Sequence, residues 1–464
     1  MTELYYTLVA ILAVYFFIYV AVTFVMVIVA GLVTRRRRHE LLPSTLREIM
    51  RAELAPTISV CIPAYNEAAV VVDSIRSLLS LDYPRVEVVV ANDGSTDTTL
   101  DVLRTEFGLE PSNRSPLGEL PHQPVRGVYE PRAPISLVVV DKDNGGRADA
   151  LNAAITYANG PLVLVMDADE VVSNDTLALA VRPFLADPFR TVAVGATLGL
   201  ANGCRIVRGR IIETGRPRQI LPLFQAVEYD RSFRVARIAS STVHAMAIVS
   251  GGFGLLRRDV VIEAGGYDVD SIGEDFDLTL RMHRFLRDRD VPYRIGQVPD
   301  ALCWTLVPEN SRVLHRQRRR WHRGLWQVLS KERGMLFRPR YGIIGFAAVP
   351  WAFLYELLNP VIVVVATLTI ILGIVVGIIG WQLLLLIAFI AWACTVVPTL
   401  GAFLMTDSPG GTKTGWRNLG AVLAAMSAEM GYQWLTMAYR LETMLVPRRR
   451  VGWGDMERSV PPEL

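Results

Sequence analysis

The sequence is poor in cysteine and nearly balanced in charge. Its 464 residues include four cysteines, which are widely spaced and form no CxxC pair. This scarcity argues against a disulfide scaffold and against a cysteine-ligated zinc site. The six histidines show no metal-ligand spacing, so we interpret them as structural or surface residues. The formal net charge of +3 is too small to indicate a nucleic-acid partner.

Long apolar runs are abundant instead. Apolar residues make up 51% of the chain, and the mean hydropathy is +0.32. Residues 4–33 contain no charge and are followed at once by Arg35–Arg38. At ~1.5 Å per residue this run exceeds the ~30 Å of a bilayer core. We expect a transmembrane helix here, with the next domain in the cytoplasm by the positive-inside rule.

Apolar sequence returns in the last quarter of the chain. It breaks at Asn359-Pro360 and near Gly380-Trp381, which leaves the pieces 343–358, 360–380, 382–405 and 419–446. The piece 343–358 is short and contains Glu356, so it fits a span, a re-entrant segment or an interfacial helix.

The number of C-terminal crossings, three or four, stays open. Arg448–Arg450 favour a cytoplasmic C-terminus and hence four crossings, whereas Glu429 and Arg440 weaken the last span. The expected segments are an N-terminal transmembrane helix (1–34), a basic linker (35–55), a cytosolic domain (56–340) with a membrane-surface helix near 314–331, C-terminal transmembrane or interfacial helices (341–446) and a tail (447–464).

The polar stretch between the apolar blocks alternates between strand and helix patterns. The apolar strand runs are Thr57–Ile62, Val86–Ala91, Ile135–Val140 and Leu162–Met166, and the helical patterns between them are Ala68–Leu79, Thr96–Phe107 and Ala148–Asn159. A Pro-rich insertion separates the second helix from the third strand. Apolar strands alternating with helices predict an α/β domain whose largely parallel sheet has helices on both faces.

Polar residues follow all four predicted strands. The clusters are 63–67 (Pro-Ala-Tyr-Asn-Glu), 92–97 (Asn-Asp-Gly-Ser-Thr-Asp), 141–147 (Asp-Lys-Asp-Asn-Gly-Gly-Arg) and 167–169 (Asp-Ala-Asp). Each alone is an ordinary turn or helix cap. Since the carboxyl ends of parallel strands share one edge of a sheet, their coincidence predicts a ligand site there.

Three charged features are of special interest. Asp167 and Asp169 are suited to a hard divalent cation that also binds phosphates, and Arg147 could meet the remaining charge of a diphosphate. Downstream, Glu274 and Asp275 begin a predicted helix, where they form a cap or supply a general base. The arginine-rich helix at 314–331 fits a membrane-surface helix as well as a site element.

The order of these motifs resembles the processive family 2 glycosyltransferases, a group that includes cellulose, chitin, hyaluronan and poly-N-acetylglucosamine synthases. The residues that carry the resemblance are Pro-Ala-Tyr-Asn-Glu, Asn-Asp-Gly-Ser, Asp-x-Asp, Gly-Glu-Asp and Gln-x-x-Arg-Trp (317–321). It covers about residues 56–340 and implies a GT-A fold, a UDP-sugar donor and Mg²⁺ or Mn²⁺.

The resemblance also implies roles for individual residues. Ala64, Tyr65, Glu67 and Asp93 would surround the uridine, with Arg147 touching the donor; Asp169 with Asp167 would hold the metal. Asp275 would be the catalytic base beside Glu274, and Gln317, Arg320 and Trp321 would lie over the diphosphate and acceptor sugar. Residues 251–254 resemble the segment that lines the acceptor path.

The implied enzyme is an inverting, plasma-membrane, multi-pass synthase that extends a β-linked polysaccharide from UDP-N-acetylglucosamine or UDP-glucose. Its partners would be the bilayer and the acceptor, with no nucleic acid. Gly273 and Asn92 depart from the residues that many relatives have there, threonine and aspartate. A single N-terminal span is fewer than some relatives have, which leaves room for an accessory subunit or a homo-oligomer.

Two alternative functions differ from this interpretation. A non-processive transferase would add one sugar to a lipid carrier or glycolipid, but Gln-x-x-Arg-Trp and the number of apolar segments argue against it. A transporter or inactive scaffold would not need a cytosolic α/β domain with intact Asp169, Asp275 and Trp321. The sequence does not separate the two sugars, and it leaves linkage position and product length open.

Overall fold

The computed structural model describes residues 2–40, 55–215, 217–405 and 419–446. Most of the expected linker, the expected tail with Arg448–Arg450 and the side chain of Glu429 therefore lie outside the described residues.

The strands, in chain order, are β1 (Ile58–Ala64), β2 (Val86–Asp93), β3 (Leu109–Pro111), β4 (Val125–Pro131), β5 (Leu137–Lys142), β6 (Leu162–Val165), β7 (Val171–Val172), β8 (Thr191–Leu200), β9 (Arg205–Val207), β10 (Arg210–Glu213), β11 (Gly254–Arg257) and β12 (Arg294–Thr305).

The helices are α1 (Thr2–Glu40), α2 (Val71–Leu79), α3 (Thr99–Phe107), α4 (Arg147–Tyr157), α5 (Thr176–Ala186), α6 (Ile220–Asp230), α7 (Arg237–Thr242), α8 (Arg258–Glu263), α9 (Glu274–Asp288), α10 (Ser311–Lys331), α11 (Asn359–Val375), α12 (Trp381–Met405) and α13 (Leu419–Leu445). A π-helical turn, Arg231–Ala236, joins α6 to α7. The sequence patterns predicted the first four core strands and α2, α3, α4, α9 and α10 to within a few residues.

Ten strands form one sheet in the order β3-β4-β5-β2-β1-β6-β11-β8-β12-β7. Its centre, β5-β2-β1-β6, is parallel as predicted. The sheet as a whole is mixed, because β11 runs antiparallel to both neighbours and β4 antiparallel to β5. β11 begins beside the end of β6, with Gly254 opposite Val165. A strand that starts there can pair with β6 only in the antiparallel direction. The Pro-rich insertion, predicted as a break, contributes the edge strand β4.

Alternating side chains of the central strands pack on opposite faces of the sheet, as the strand period of two requires. On one face Val60 and Val88 join a buried core with α2, α3 and α5. On the other face Cys61 and Val89 pack with α4, α8 and α9. The prediction of helices on both faces is confirmed. This double cover leaves the carboxyl edge of the sheet as the place for polar groups.

Within the described residues, α1 and α12 are long and apolar enough to cross a membrane, and a bent pair is a third candidate. The pair consists of Ile344–Leu357 and α11, which meet at 54°. The bend falls at the predicted Asn359-Pro360 break, because a proline lacks the N–H group that a continuing helix needs. The expected pieces 343–358 and 360–380 thus form one bent unit, and α13 is not part of this unit.

Candidate active site

The register of the central strands brings the predicted polar clusters to one edge. Asn92 lies beside Ala64 on one side and beside Asp141 on the other, while Asp93 lies beside Lys142. Each pair is at the carboxyl end of its strand. The predicted coincidence of polar strand ends is therefore confirmed.

Asp93 is the anchor of the loop that follows β5. Its carboxylate accepts hydrogen bonds from Lys142 Nζ (2.5 Å) and from the backbone N–H groups of Gly145 (2.9 Å) and Gly146 (2.7 Å). Lys142 is fully buried and also pairs with Asp149. At Gly94, which has φ +65°, a Cβ would come within 2.8 Å of the Asn144 nitrogen. Only glycine therefore lets the two loops approach so closely.

Asn66 ties the loop after β1 to the loop after β2. Its side-chain oxygen accepts hydrogen bonds from the N–H groups of Thr96 (2.9 Å) and Asp97 (3.2 Å). The neighbouring Glu67 N–H donates to the Thr99 hydroxyl at 2.9 Å. These contacts hold Tyr65 at the edge of the sheet with 45% of its surface exposed. An exposed ring at that position is available for stacking on a flat ligand.

Arg147 joins three distant segments. Its guanidinium donates to Asp167 Oδ1 (2.7 Å), Glu274 Oε1 (2.8 Å) and the Gly251 carbonyl (2.8 Å). Burial lowers the pKa of Arg147, but Asp167 and Glu274 outweigh it and raise that pKa well above its usual value. Arg147 thus fixes both predicted acidic motifs relative to each other.

The acidic pair at the start of α9 lies against the same loop. Asp275 Oδ2 accepts from the Gly251 N–H (3.1 Å), and its Oδ1 accepts from the Phe276 N–H (2.8 Å). Burial raises the pKa of the Glu274 carboxyl, and the Arg147 charge opposes that shift. Asp275 lies in the first turn of α9, and a helix N-terminus favours negative charge.

The Gln-x-x-Arg-Trp residues project from α10 towards these acids. Burial lowers the pKa of Arg320, and the nearby Glu274 carboxylate opposes that shift. Trp321 is 42% exposed. The Gln317 side-chain oxygen is buried without a hydrogen-bond partner among the described residues. A buried acceptor of this kind is costly unless a ligand or water satisfies it.

All of the predicted site residues line one cavity of about 1750 Å³. They are Ala64, Tyr65, Glu67, Asp93, Arg147, Asp167, Asp169, Glu274, Asp275, Gln317, Arg320 and Trp321. The cavity continues between apolar residues of α1, such as Val22 and Val25, and the aromatic residues Trp351 and Tyr355. Of the predicted acceptor-path segment, Gly251 and Gly252 line it, whereas Phe253 is buried in the core.

Sequence reasoning missed several residues of this cavity, among them Glu170 and Arg237. Glu170 is a third carboxylate beside Asp167 and Asp169; burial and then these two charges raise its pKa well above the usual value. Its position directly after Asp-x-Asp is the feature of the sequence that could have indicated it. Arg237 lies over the Phe233 ring at 4.0 Å, and burial lowers its pKa to about 10. No motif marked Arg237.

The donor set fits a metal that arrives with its substrate. No group of three or more His, Cys, Asp or Glu side chains suited to a metal occurs in the part of the chain that the structure describes. Asp167 and Asp169 are both partly exposed to the cavity. Mg²⁺ is commonly held by one or two carboxylates together with phosphate oxygens and water, so two aspartates suffice.

The chain belongs to the glycosyl transferase family 2 group. The family profile described as "Glycosyl transferase family group 2" matches residues 162–401, and the "Glycosyl transferase family 2" profile matches residues 59–113. The resemblance read from the motifs is confirmed at this level.

Among curated relatives, the poly-beta-1,6-N-acetyl-D-glucosamine synthase of Staphylococcus epidermidis is 30% identical. The synthase of Staphylococcus aureus (strain COL) is 28% identical. Each alignment covers 59% of this chain and 56% of the relative, so the chain spans about half the length of these relatives.

Among solved structures, the mannosyltransferase PcManGT from Pyrobaculum calidifontis, in complex with GDP-Man and Mn²⁺, is 22% identical with a TM-score of 0.49. That alignment covers 89% of this chain and 99% of the other. Residues 1–349 of S. aureus TarS are 18% identical with a TM-score of 0.36, over 59% of this chain and 64% of the other.

Proposed function

We propose that this protein is a membrane-embedded, inverting glycosyltransferase. It transfers a sugar from a UDP-sugar to a hydroxyl of a growing β-linked polysaccharide, and it does so processively. The observation that carries this proposal is the single cavity that contains every predicted site residue. The cavity's continuation between α1 and the bent segment supports a product path towards the membrane.

In this proposal the sheet edge binds the donor. Ala64, Tyr65, Glu67 and Asp93 surround the uridine, and Asp93 does so mainly by holding the loop at Gly145 and Gly146 in place. Asp169, with Asp167, would hold Mg²⁺ or Mn²⁺. A bound metal ion would neutralise charge on the diphosphate.

The chemistry follows from the positions of Asp275 and Arg320. An acceptor hydroxyl is a weak nucleophile at neutral pH, so Asp275 takes its proton as the new bond forms. Arg320, with Gln317, stabilises the charge that develops on the departing diphosphate. Trp321 offers an indole face to the acceptor sugar. Attack opposite the leaving group inverts the anomeric carbon, and no covalent enzyme intermediate is needed.

We place the enzyme in the plasma membrane with its sheet domain, residues 56–340, in the cytoplasm. The apolar part of α1 is followed within the same helix by Arg35 and Arg36, and this supports that orientation. The segments 341–446 would complete a multi-pass protein, with an accessory subunit or a homo-oligomer as a further component of the export path.

For the donor, we favour UDP-N-acetylglucosamine over UDP-glucose. The names of the curated relatives support this choice, although the alignments cover 56% of their length. A second candidate is transfer of one sugar to a lipid-linked acceptor. The apolar lining contributed by Val22 and Val25 of α1 favours it, because a lipid chain could lie there.

The test uses purified protein in nanodiscs with Mg²⁺ or Mn²⁺ and a panel of radiolabelled UDP-sugars, each with an EDTA control. The proposal predicts high-molecular-weight product from one donor, lost with EDTA and sensitive to a β-specific glycosidase. A single-sugar lipid product would support the second candidate. Absence of both incorporation and UDP release from every donor would refute the proposed function.

A further inference from the structure

Arg318, inside the Gln-x-x-Arg-Trp segment, makes an ion pair with Glu228 of α6, whose side chain is 25% exposed. Arg318 itself is 2% exposed. Its Nη1 donates to Glu228 Oε1 at 2.6 Å, and its Nη2 donates to Glu228 Oε2 at 2.8 Å. Two parallel bonds of this kind fix the orientation of both side chains, which a single contact would not.

Tyr432 of α13 closes this ion pair from the other side. Its hydroxyl donates to Glu228 Oε2 (2.9 Å) and accepts from Arg318 Nη2 (3.1 Å). The Tyr432 ring is 4% exposed and stacks on Phe224 at 5.4 Å between centroids. We call Glu228, Arg318 and Tyr432 the clamp. It connects α6, α10 and the C-terminal helix α13.

Stability alone does not account for the clamp. Burial raises the pKa of Glu228, but the Arg318 and Arg440 charges outweigh it and lower that pKa, so the pair stays ionised. Burying the Arg318 charge costs several kcal/mol, and well-packed apolar residues often stabilise equally well. A bidentate pair with a buried guanidinium is therefore better explained by the geometry that it imposes.

The pair bears on the position of the Trp321 ring, which contacts Arg318. The Arg318 guanidinium carbon lies 4.6 Å from the Trp321 ring centroid. That is inside the ~6 Å range of a cation–π contact. Since Trp321 is 42% exposed, packing alone leaves its ring partly unrestrained. The orientation of Arg318 consequently bears on the orientation of the indole.

The opposite side of α10 is docked by close backbone contact. A Cβ at Gly324 would come within 2.9 Å of the Gly273 nitrogen, directly before the acidic pair of α9. Gln327 donates to the Asp270 carbonyl (2.8 Å) and accepts from the Ile272 N–H (2.9 Å). α10 is thus fixed near Asp275 on one side and held by the clamp on the other. Trp321 lies between them.

We propose that Glu228, Arg318 and Tyr432 are positioning residues that set the Trp321 indole for the acceptor sugar. Through Tyr432, the C-terminal helix acts on the acceptor side of the site. The inference rests on the proposed function, because it assigns the acceptor to Trp321.

The first test measures the environment of the Trp321 ring and does not require catalytic turnover. The full chain is labelled with 5-fluorotryptophan, and the ¹⁹F signal of Trp321 is assigned with Trp321→Phe. We expect Tyr432→Phe and Arg318→Met to shift or broaden that signal. Arg316→Met, an exposed position on the same helix, should leave it unchanged. An unchanged Trp321 signal in both clamp variants would overturn the inference.

The second test is a double-mutant cycle that follows sugar incorporation and UDP release together. Arg318→Met should lower incorporation about tenfold while UDP release is retained. In a Trp321→Ala background the same change should cause no further loss, because Arg318 acts through that ring. Additive losses, or equal falls in UDP release, would contradict the inference. Tyr432→Phe, which removes one hydroxyl, replaces Arg318→Met if that variant does not fold.

The two tests separate the inference from the proposed function. If the wild-type protein neither incorporates sugar nor releases UDP, the proposed function fails, and the ¹⁹F signal still reports whether the clamp orients Trp321. If the wild-type protein transfers sugar but the clamp variants behave like Arg316→Met, only the inference fails.

Discussion

The two sides of the cavity are held in different ways. On the sheet side, backbone N–H groups hold the functional carboxylates, as Gly145 and Gly146 do for Asp93 and as Gly251 does for Asp275. On the α10 side, side chains from distant helices hold an arginine, as Glu228 and Tyr432 do for Arg318. Hydrogen bonds from backbone N–H groups form when the loops fold, whereas the side-chain contacts depend on packing between helices.

This difference has a functional meaning under the proposed assignment. The donor and the proton-accepting carboxylate lie on the preorganised sheet side, where displacement by a fraction of an ångström would slow the reaction. The acceptor lies on the α10 side, next to helices that approach the membrane. A product that must advance after each addition is better accommodated by the more adaptable side.

The largest expected effect is on the sheet side. Asp275→Asn keeps the shape of the side chain but removes the proposed base, so kcat should fall about 10²- to 10⁴-fold. UDP binding, measured by calorimetry, should be unchanged. Asp288→Asn, at the far end of the same helix, is the control. Near-normal turnover in Asp275→Asn would remove it from the role of base.

The next effect concerns the stability of the sheet side. Lys142→Met leaves Asp93 and Asp149 buried without their cation, which should cost about 3–5 kcal/mol of unfolding free energy. Arg126→Met removes a half-exposed partner of Asp141 and should cost about 0–1 kcal/mol. Denaturant titrations of the two variants measure the difference. Equal losses would show that the buried lysine has no special structural role.

A pH-dependent effect should also arise on the sheet side. Burial lowers the pKa of His283 in α9 to about 4, whereas an unfolded histidine titrates near ~6.5. As the pH falls from ~6.5 towards 4, the unfolded state binds a proton at this histidine and the folded state does not. The free energy of unfolding therefore falls. The loss reaches on the order of 3 kcal/mol at the acid end.

His283→Gln should flatten this part of the pH–stability curve. His315→Gln serves as the comparison on α10, where the imidazole contacts the partly exposed Glu442. Thermal unfolding between pH 7 and 4 measures both. A curve for His283→Gln that parallels the wild type would contradict the assignment of the slope to this residue.

The smallest expected effect is on the α10 side. Trp321→Ala should reduce chain extension about tenfold relative to UDP release, since it removes a stacking face and little else. Trp321→Phe should retain most of the extension. Product sizing alongside UDP release measures the ratio. Equal reductions of both quantities in Trp321→Ala would argue against acceptor stacking.

Much of the sheet side could be predicted from the sequence. Apolar strand runs, each followed by polar residues, specify where strands end, and parallel pairing then brings Asp93 and Asp167 to one edge. The direction of β11 could not be predicted, because it depends on where a long connection returns to the sheet. The same connection contributes Gly251, so the three-way role of Arg147 was also hidden.

On the α10 side, the sequence indicated which residues belong to the site but not how the helix is oriented. The Gln-x-x-Arg-Trp spacing marked Gln317, Arg320 and Trp321, while Arg318 looked like one more arginine of a surface helix. Its burial depends on Glu228 and Tyr432, which lie 90 and 114 residues away. Contacts at such separations leave no local pattern in the sequence.

The most direct test of the account is an experimental structure of the full protein with UDP and Mn²⁺. The account predicts uracil against Tyr65, the diphosphate between Asp169 and Arg320, and the metal on Asp169. It also predicts an open space between Asp275 and Trp321 that fits one sugar ring. Nucleotide bound away from this cavity, or a diphosphate out of reach of both Asp169 and Arg320, would contradict the account.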